Sequence, residues 1–288
     1  MSALALTLVL TAAFCHAGWN FALKKAHGDG LSFFALLGVF EILVWAGPVM
    51  LLLPSLDRFN PNWLIAMLGS AIVHVAYFWL LLRAYKTADL SLAYPLARAT
   101  GPLLSVLAAV FILSEAPTPQ GLAGAFMIIA GSIWIGLTGS KATAMGPAQL
   151  KGIGFALLCG LMIAIYTVWD QQSVTAVGVP IMLFYWGSIV MRVLLTAPSL
   201  WIHRRQIHQW VRTDLRVYLV VAVLSPMAYM LVLWAMTIAP LSLVAPAREI
   251  SILLGVIAGA KLLREGQMLA RLGAAALMLA GIVILGFN

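Results

Sequence analysis

The chain has 288 residues, 63% of them hydrophobic and 9% charged, with a formal net charge of +8. A soluble chain carries about 25% charged residues, so this one lacks the means to cover itself with a water-exposed surface. The basic excess falls in short segments between apolar runs, which argues for a membrane surface and against a nucleic-acid partner.

Apolar runs of roughly 20 residues recur along the whole length, each long enough to cross a bilayer as a helix. Strand-period alternation is absent, which disfavours a barrel. Spans are predicted at 3–23, 32–54, 62–83, 89–113, 119–139, 151–172, 178–202, 215–236, 241–263 and 267–287. The fold class is therefore all-α integral membrane, with ten transmembrane helices. The first segment has no basic leader, and Phe14 before Cys15 is too large for lipoprotein cleavage, so it reads as a span. Cys15 and Cys159 lie in apolar runs and read as buried thiols. The longest polar stretch, His203–Arg216, reads as the loop between spans seven and eight. In the fifth and tenth spans, Gly121, Gly124, Gly131 and Gly136, then Gly273, Ala274, Gly281 and Gly286, give small-residue faces for close packing. Dimerisation through those faces is not required, and a monomer is expected.

The basic residues set the topology. Odd-numbered loops hold Lys24, Lys25, Arg83, Lys86, Lys141, Lys151, Arg204, Arg205, Arg212, Arg216, Lys261, Arg264 and Arg271. Even-numbered loops hold Arg58 alone, and Arg98, Arg192 and Arg248 fall inside spans. Positive loops stay cytoplasmic, so both termini are predicted on the outer, periplasmic face of an inner membrane.

The chain also contains itself twice. LSLAYPLARATGPLLSVLAAVFILSE, Leu90–Glu115, aligns with LSLVAPAREISILLGVIAGAKLLRE, Leu241–Glu265. Pro95 falls on Pro246, Arg98 on Arg248, Glu115 on Glu265 and Gly131 on Gly281. A self-match at half the length is a duplication, dividing the chain into repeats over 1–140 and 150–288. Each repeat has five predicted spans, an odd number, so the two must cross the bilayer in opposite senses. That inverted 5+5 architecture around a central cavity is typical of secondary transporters.

Polar and aromatic residues share helix faces at spacings of three, four and seven. These stripes hold His16, Trp19 and Asn20 in span one, and His74, Tyr77 and Phe78 in span three. Spans four, six and eight add Tyr94 and Arg98, then Tyr166, Trp169 and Asp170, then Ser225 and Tyr229. Lipid-facing surface has no use for His, Asn or Arg, so the stripes turn inward. Such a wall suits a flat, partly apolar solute with a few hydrogen-bonding groups. The expected solute-binding set is His16, Trp19, Asn20, His74, Tyr77, Tyr94, Arg98, Tyr166, Trp169 and Tyr229. Trp169, with Trp186, Trp201 and Trp234, also fits anchoring or packing. Glu41, Asp170, Arg192, Arg248 and Glu249 are the expected coupling or gating residues, because a charge inside the bilayer needs a partner or water. Glu41 and Arg192 correspond between repeats and can meet. Arg248 and Glu249 are neighbours, so on a regular helix only one of them faces the axis.

Ten spans in a 5+5 duplication, Ala17-Gly18-Trp19-Asn20 with Lys24 closing span one, and Pro-containing fourth and ninth spans ending on Glu115 and Glu265 together resemble the EamA-type branch of the drug/metabolite transporter superfamily. In size and aromatic content the chain is similar to its YddG-type aromatic amino-acid exporters. The resemblance implies a basket of spans 1–4 and 6–9 around a cavity, with spans 5 and 10 as supports. It also implies export of small amphipathic metabolites, above all aromatic or hydrophobic amino acids. Many relatives keep their termini cytoplasmic, whereas the basic loops here argue for the reverse.

Two other readings fit the same residues. One is a carrier for cationic drugs or for phosphorylated or sugar-linked metabolites, and the other is a passive pore. The sequence has no HExxH, Walker A, GxSxG or CxxC pattern, so no enzyme, metal or cofactor is expected.

Overall fold

The computed structural model describes residues 1–23, 26–27, 30–55, 59–88, 90–137, 146–252 and 268–287. These form α1 (Ala3–Leu23), α2 (Gly30–Leu52), a 3-10 turn, α3 (Asn62–Thr87), α4 (Leu90–Phe111), α5 (Pro119–Leu137), α6 (Pro147–Thr175), α7 (Ile181–Ile202), α8 (Arg204–Ile238), α9 (Leu241–Ala247) and α10 (Met268–Gly286). Six of them, α1, α2, α3, α6, α7 and α8, are long and apolar enough to cross a membrane, and α4, α5 and α10 hold shorter apolar helices. The chain is a multi-pass membrane protein. Much of the ninth predicted span, with Lys261, Arg264 and Glu265, lies outside the described residues, as do Lys24, Lys25, Arg58 and Lys141.

Helical backbone is the default here because each segment must satisfy its own amide groups in hydrocarbon. The hydroxyls follow the same rule. Thr100, Ser105, Thr167, Ser173, Ser188 and Thr196 each donate to the carbonyl four residues back, at 2.6–2.8 Å. They close on their own helix, whereas Ser32 Oγ of α2 donates across to Ser199 O of α7 (3.0 Å). Three indoles also join helices. Trp45 Nε1 donates to Ala222 O (2.9 Å), Trp169 Nε1 to Ala66 O (2.8 Å) and Trp186 Nε1 to Ile42 O (3.1 Å). Trp201 and Trp234 stand exposed on the outer face.

Among the described residues, α3 packs with α6, α1 with α8, α2 with α7, α4 with α9 and α5 with α10, and α4 also packs on α6, α3 on α7 and α2 on α8. Shifting every helix five places turns α3·α6 into α8·α1 and α3·α7 into α8·α2, and returns α2·α7, α4·α9 and α5·α10 to themselves; α4·α6 has no such counterpart. The α5·α10 pair approaches closely. A Cβ built on Gly124 would stand 2.8 Å from Gly281 O, and one on Gly281 would stand 2.7 Å from Gly124 O. The small-residue faces read from the sequence are thus used within the chain.

The repeated Leu-Ser-Leu and Glu acquire a physical role in one half. Glu115, just after α4, accepts the backbone N–H groups of Leu241 (2.8 Å) and Ser242 (2.9 Å) at the start of α9. A carboxylate there satisfies two orphan donors and meets the positive end of the helix. Hydrogen bonds to a charged group are worth about 1.5–3 kcal/mol each, so Glu115→Ala is expected to lower thermal stability in detergent by several degrees. An unchanged melting temperature would contradict this role.

Two local readings are corrected. His203–Arg216 is not a loop: α8 begins at Arg204 and runs to Ile238, with a break at Asp214 (φ −116°, ψ 16°). Ile207, Trp210 and Val211, spaced three and four apart, give this polar stretch an apolar face that packs beside Phe33, Leu36 and Tyr218. Asp214 stabilises the break by accepting the His27 backbone N–H (2.8 Å) and pairing with His27 Nδ1 (2.9 Å). The second correction concerns α9, which stops at Ala247. Beyond it Glu249 N–H bonds Pro246 O, Ser251 N–H bonds Arg248 O and Ile252 N–H bonds Glu249 O, a tighter three-residue spacing. Three residues per turn set neighbours about 120° apart, and while both residues border the central cavity, Arg248 is the more exposed of the two, at 15% against 2% for Glu249.

Candidate functional site: a charged and aromatic cavity

A cavity of about 440 Å³ lies among α1, α2, α3, α4, α6, α7, α8 and the segment after α9. That volume falls within the range of about 300–1,000 Å³ typical of small-molecule sites. Of the expected solute-binding residues, His16, Trp19, Asn20, His74, Tyr77, Arg98, Tyr166 and Tyr229 line it. So do Glu41, Arg192, Arg248 and Glu249. The structure does not bring Trp169 or Asp170 to that wall. Trp169 sits in the α3·α6 seam, where its ring covers Gly69 and its Nε1 bonds Ala66 O. Asp170 stands one layer behind, and the side chain of Tyr94 lies outside the described ones.

Two charged groups face the space. On one side Arg98 Nη2 is 3.0 Å from Glu249 Oε2, and Arg248 Nε is 3.5 Å from Glu249 Oε1. The repeat mates Arg98 and Arg248 thus share one carboxylate. Arg248 Nη1 also approaches Thr167 Oγ1 at 3.4 Å, and its guanidinium carbon lies 5.9 Å from the Tyr166 ring centre. On the other side Arg192 Nη2 donates to Glu41 Oε2 at 3.0 Å. The Arg192 guanidinium also covers the Phe34 ring at 4.6 Å, and Phe34 stacks on Phe78 at 4.0 Å.

Between the charges runs an aromatic wall. His74 stacks on Tyr166 (4.2 Å) and meets Tyr229 edge-on (5.9 Å), Tyr77 meets Tyr166 edge-on (5.8 Å), and His16 meets Trp19 edge-on (4.8 Å). His74 Nδ1 donates to Ser70 O (2.9 Å), which leaves Nε2 as the acceptor of the neutral ring. Asn20 Nδ2 donates to His16 O (2.8 Å), so its carbonyl end remains for other partners. Behind the wall a side chamber of about 10 Å³ is shared by Ser70, His74, Asp170, Ser188, Arg192 and Tyr229. It has room for about one water. There Asp170 is fully buried, its Oδ2 accepts the Tyr229 hydroxyl, and its Oδ1 faces the chamber without a well-formed hydrogen bond among the described residues.

The cavity is lopsided along the helices. In the first three helices its walls run from Ala12 to Leu23 of α1, Phe33 to Glu41 of α2 and His74 to Tyr85 of α3, toward the first and third loops, while α6, α7 and α8 line it around their middles and at Tyr185. The other ends are filled. Val49, Trp63, Ala66, Met67, Val174, Val179, Leu183, Phe184 and Leu233 form one apolar plug across α2, α3, α6, α7 and α8.

Tyr185 and Phe34 are cavity residues that the sequence reading missed. Each stands seven residues from a charged residue on its own helix, Tyr185 from Arg192 and Phe34 from Glu41. Extending the same-face rule from those two charges would have found both.

Comparison with known proteins agrees with this architecture. No curated protein matches the chain. A solved crystal structure of another protein superposes with a TM-score of 0.76 over 97% of both chains at 20% identity, so the two share a fold. The profile of the EamA-like transporter family matches twice in succession, over residues 3–137 and 150–287. Those matches cover nearly the whole chain, and the protein belongs to the EamA-like family of small-solute membrane transporters.

Proposed function

We propose that the chain is a secondary carrier of the inner membrane that moves small amphipathic metabolites outward by alternating access. Aromatic and other hydrophobic amino acids are the first class to test, as in the YddG-type exporters it resembles. Ten helices form two five-helix repeats in opposite orientations, with both termini on the periplasmic face. The swapped packing pairs support this, because a relation that exchanges α3·α6 with α8·α1 and keeps α2·α7 is a two-fold one. A monomer suffices, since the duplication supplies both halves.

The observation that carries the reading is the lopsided cavity. It reaches toward the basic, odd-numbered loops and is stopped by apolar packing at the opposite ends. On the positive-inside assignment this is an inward-open carrier. The plug also favours a carrier over a passive pore, which needs a continuous polar path. The test is flux in proteoliposomes. Saturable uptake and counterflow of a labelled aromatic amino acid are expected. Movement of no amino acid in either direction would remove that substrate class, and flux linear in concentration would favour the pore.

Asp170 is the residue we assign to proton coupling. Unlike Glu41 and Glu249, it has no ion-pair partner among the described residues, and it hydrogen-bonds a tyrosine of the cavity wall. Around it stand Ser70 and His74 of α3, Arg192 of α7, Tyr229 of α8 and, on its own helix, Tyr166. Asp170→Asn is expected to abolish accumulation driven by an imposed pH gradient while counterflow persists. Gradient-driven accumulation at the parent rate would contradict the assignment.

A further inference from the structure

We infer that the cavity recognises an organic carboxylate, with Arg248 as the anion's partner, and provides no carboxylate for an ammonium group. The inference rests on the carrier reading above and names the solute class of the same site.

The wall carries three guanidinium groups, Arg98, Arg192 and Arg248, and two carboxylates, Glu41 and Glu249. With all five charged, the lining has one positive charge in excess. Exposure divides the two signs further. The side chains of Arg98, Arg248 and Arg192 are 21%, 15% and 13% exposed, whereas those of Glu249 and Glu41 are 2% and 4%. Each carboxylate is turned into protein and held there by arginine. Asp170 is behind the aromatic layer and bonded to Tyr229. A solute entering the cavity therefore meets cations first.

Arg248 has capacity to spare. Its Nε faces Glu249 and its Nη1 faces Thr167 at 3.4 Å, a long contact, while Nη2 has no hydrogen-bond partner among the described residues. Arg248 also lies beside the Tyr166 ring, itself stacked on His74. An aryl or heteroaryl body against that pair, with its carboxylate on Arg248, uses both features at once. A second donor of the lining lacks an acceptor: Trp19 lines the cavity, yet its Nε1 is buried with no hydrogen-bond partner among the described residues. A cation at the same place would meet the exposed positive charge with no compensating acid, in a medium that screens poorly. That disfavours cationic drugs.

The test uses the purified full chain and three probes that differ in one group: 3-phenylpropionate, phenylalanine and phenethylamine. Binding is followed by quenching of intrinsic tryptophan fluorescence and by thermal shift. The expected order places 3-phenylpropionate at least level with phenylalanine, and phenethylamine about tenfold weaker or worse, because its ammonium finds no acid. Arg248→Gln is expected to weaken 3-phenylpropionate by about tenfold while leaving the uncharged 3-phenylpropanamide unchanged, and Arg248→Lys to restore part of the loss. Should Arg248→Gln fail to fold, the three-probe order on the parent protein still decides. Phenethylamine binding as well as 3-phenylpropionate would overturn the anion inference and leave the carrier reading intact. If none of the three bound or moved across proteoliposomes, both would fall.

Discussion

Glu41→Gln is expected to lose about 3–5 kcal/mol of stability, because it leaves a buried arginine without its counter-charge. Glu41 is 3% exposed on α2, and its Oε2 receives Arg192 Nη2 of α7 at 3.0 Å. Arg192 Nε is already buried without an acceptor among the described residues, so removing the carboxylate strips the guanidinium of its one ion pair there. The contact over Phe34 remains, but a cation–π contact contributes about 0.5–2 kcal/mol and does not replace the pair. The two residues sit on helices that are repeat mates packed against each other, so the loss should loosen the centre of the bundle. Glu41→Leu with Arg192→Met removes both charges and keeps most of the volume, and most of the stability should return. Thermal unfolding in detergent measures all three variants. Glu41→Gln melting with the parent protein would show that the pair is not what holds α2 to α7.

Gly281→Leu is expected to be comparably damaging for a steric reason. The first carbon of any side chain at 281 would stand 2.7 Å from Gly124 O and 2.8 Å from Ile128 Cγ1. One of these obstacles is backbone, so no rotamer change clears it, and α5 and α10 must separate. Overpacking of this kind costs about 1–3 kcal/mol, and a residue larger than alanine falls at or beyond the upper end. Gly154→Ala is the control. It lies in α6 with nothing within 4 Å of its built Cβ, and alanine there should stabilise the helix by up to about 1 kcal/mol. Opposite signs at the two glycines, read as melting temperatures, test the packing directly. A folded Gly281→Leu protein with unchanged stability would contradict it.

The apolar length of each segment made the membrane helices legible, and the Leu-Ser-Leu, Pro, Arg and Glu pattern made the duplication legible. The pairing of Glu41 with Arg192 could be read from the repeat because symmetry related two opposite charges. What could not be read depended on tertiary contacts. His203–Arg216 is too polar to signal a helix by hydropathy, and only the packing of Ile207, Trp210 and Val211 reveals one. The end of α9 at Ala247 was not legible either, because helical periodicity assumes an unbroken helix. Trp169 shares a stripe with Tyr166, yet the missing side chain of Gly69 on the facing helix draws its ring into the seam. Glu115 looked like the polar end of a span, whereas its carboxylate reaches a helix start more than a hundred residues later.

The central claim is that one cavity between the halves opens alternately to the two faces of the membrane. Spin-label distances across it test this most directly. One pair takes Lys86 at the end of α3 and Arg205 at the start of α8, on the side where the cavity opens. The other takes Asn62 at the start of α3 and Thr237 near the end of α8, on the plugged side. In reconstituted protein, a transported solute should shorten the first distance and lengthen the second. Both distances unchanged at saturating solute, or both moving in the same sense, would contradict it.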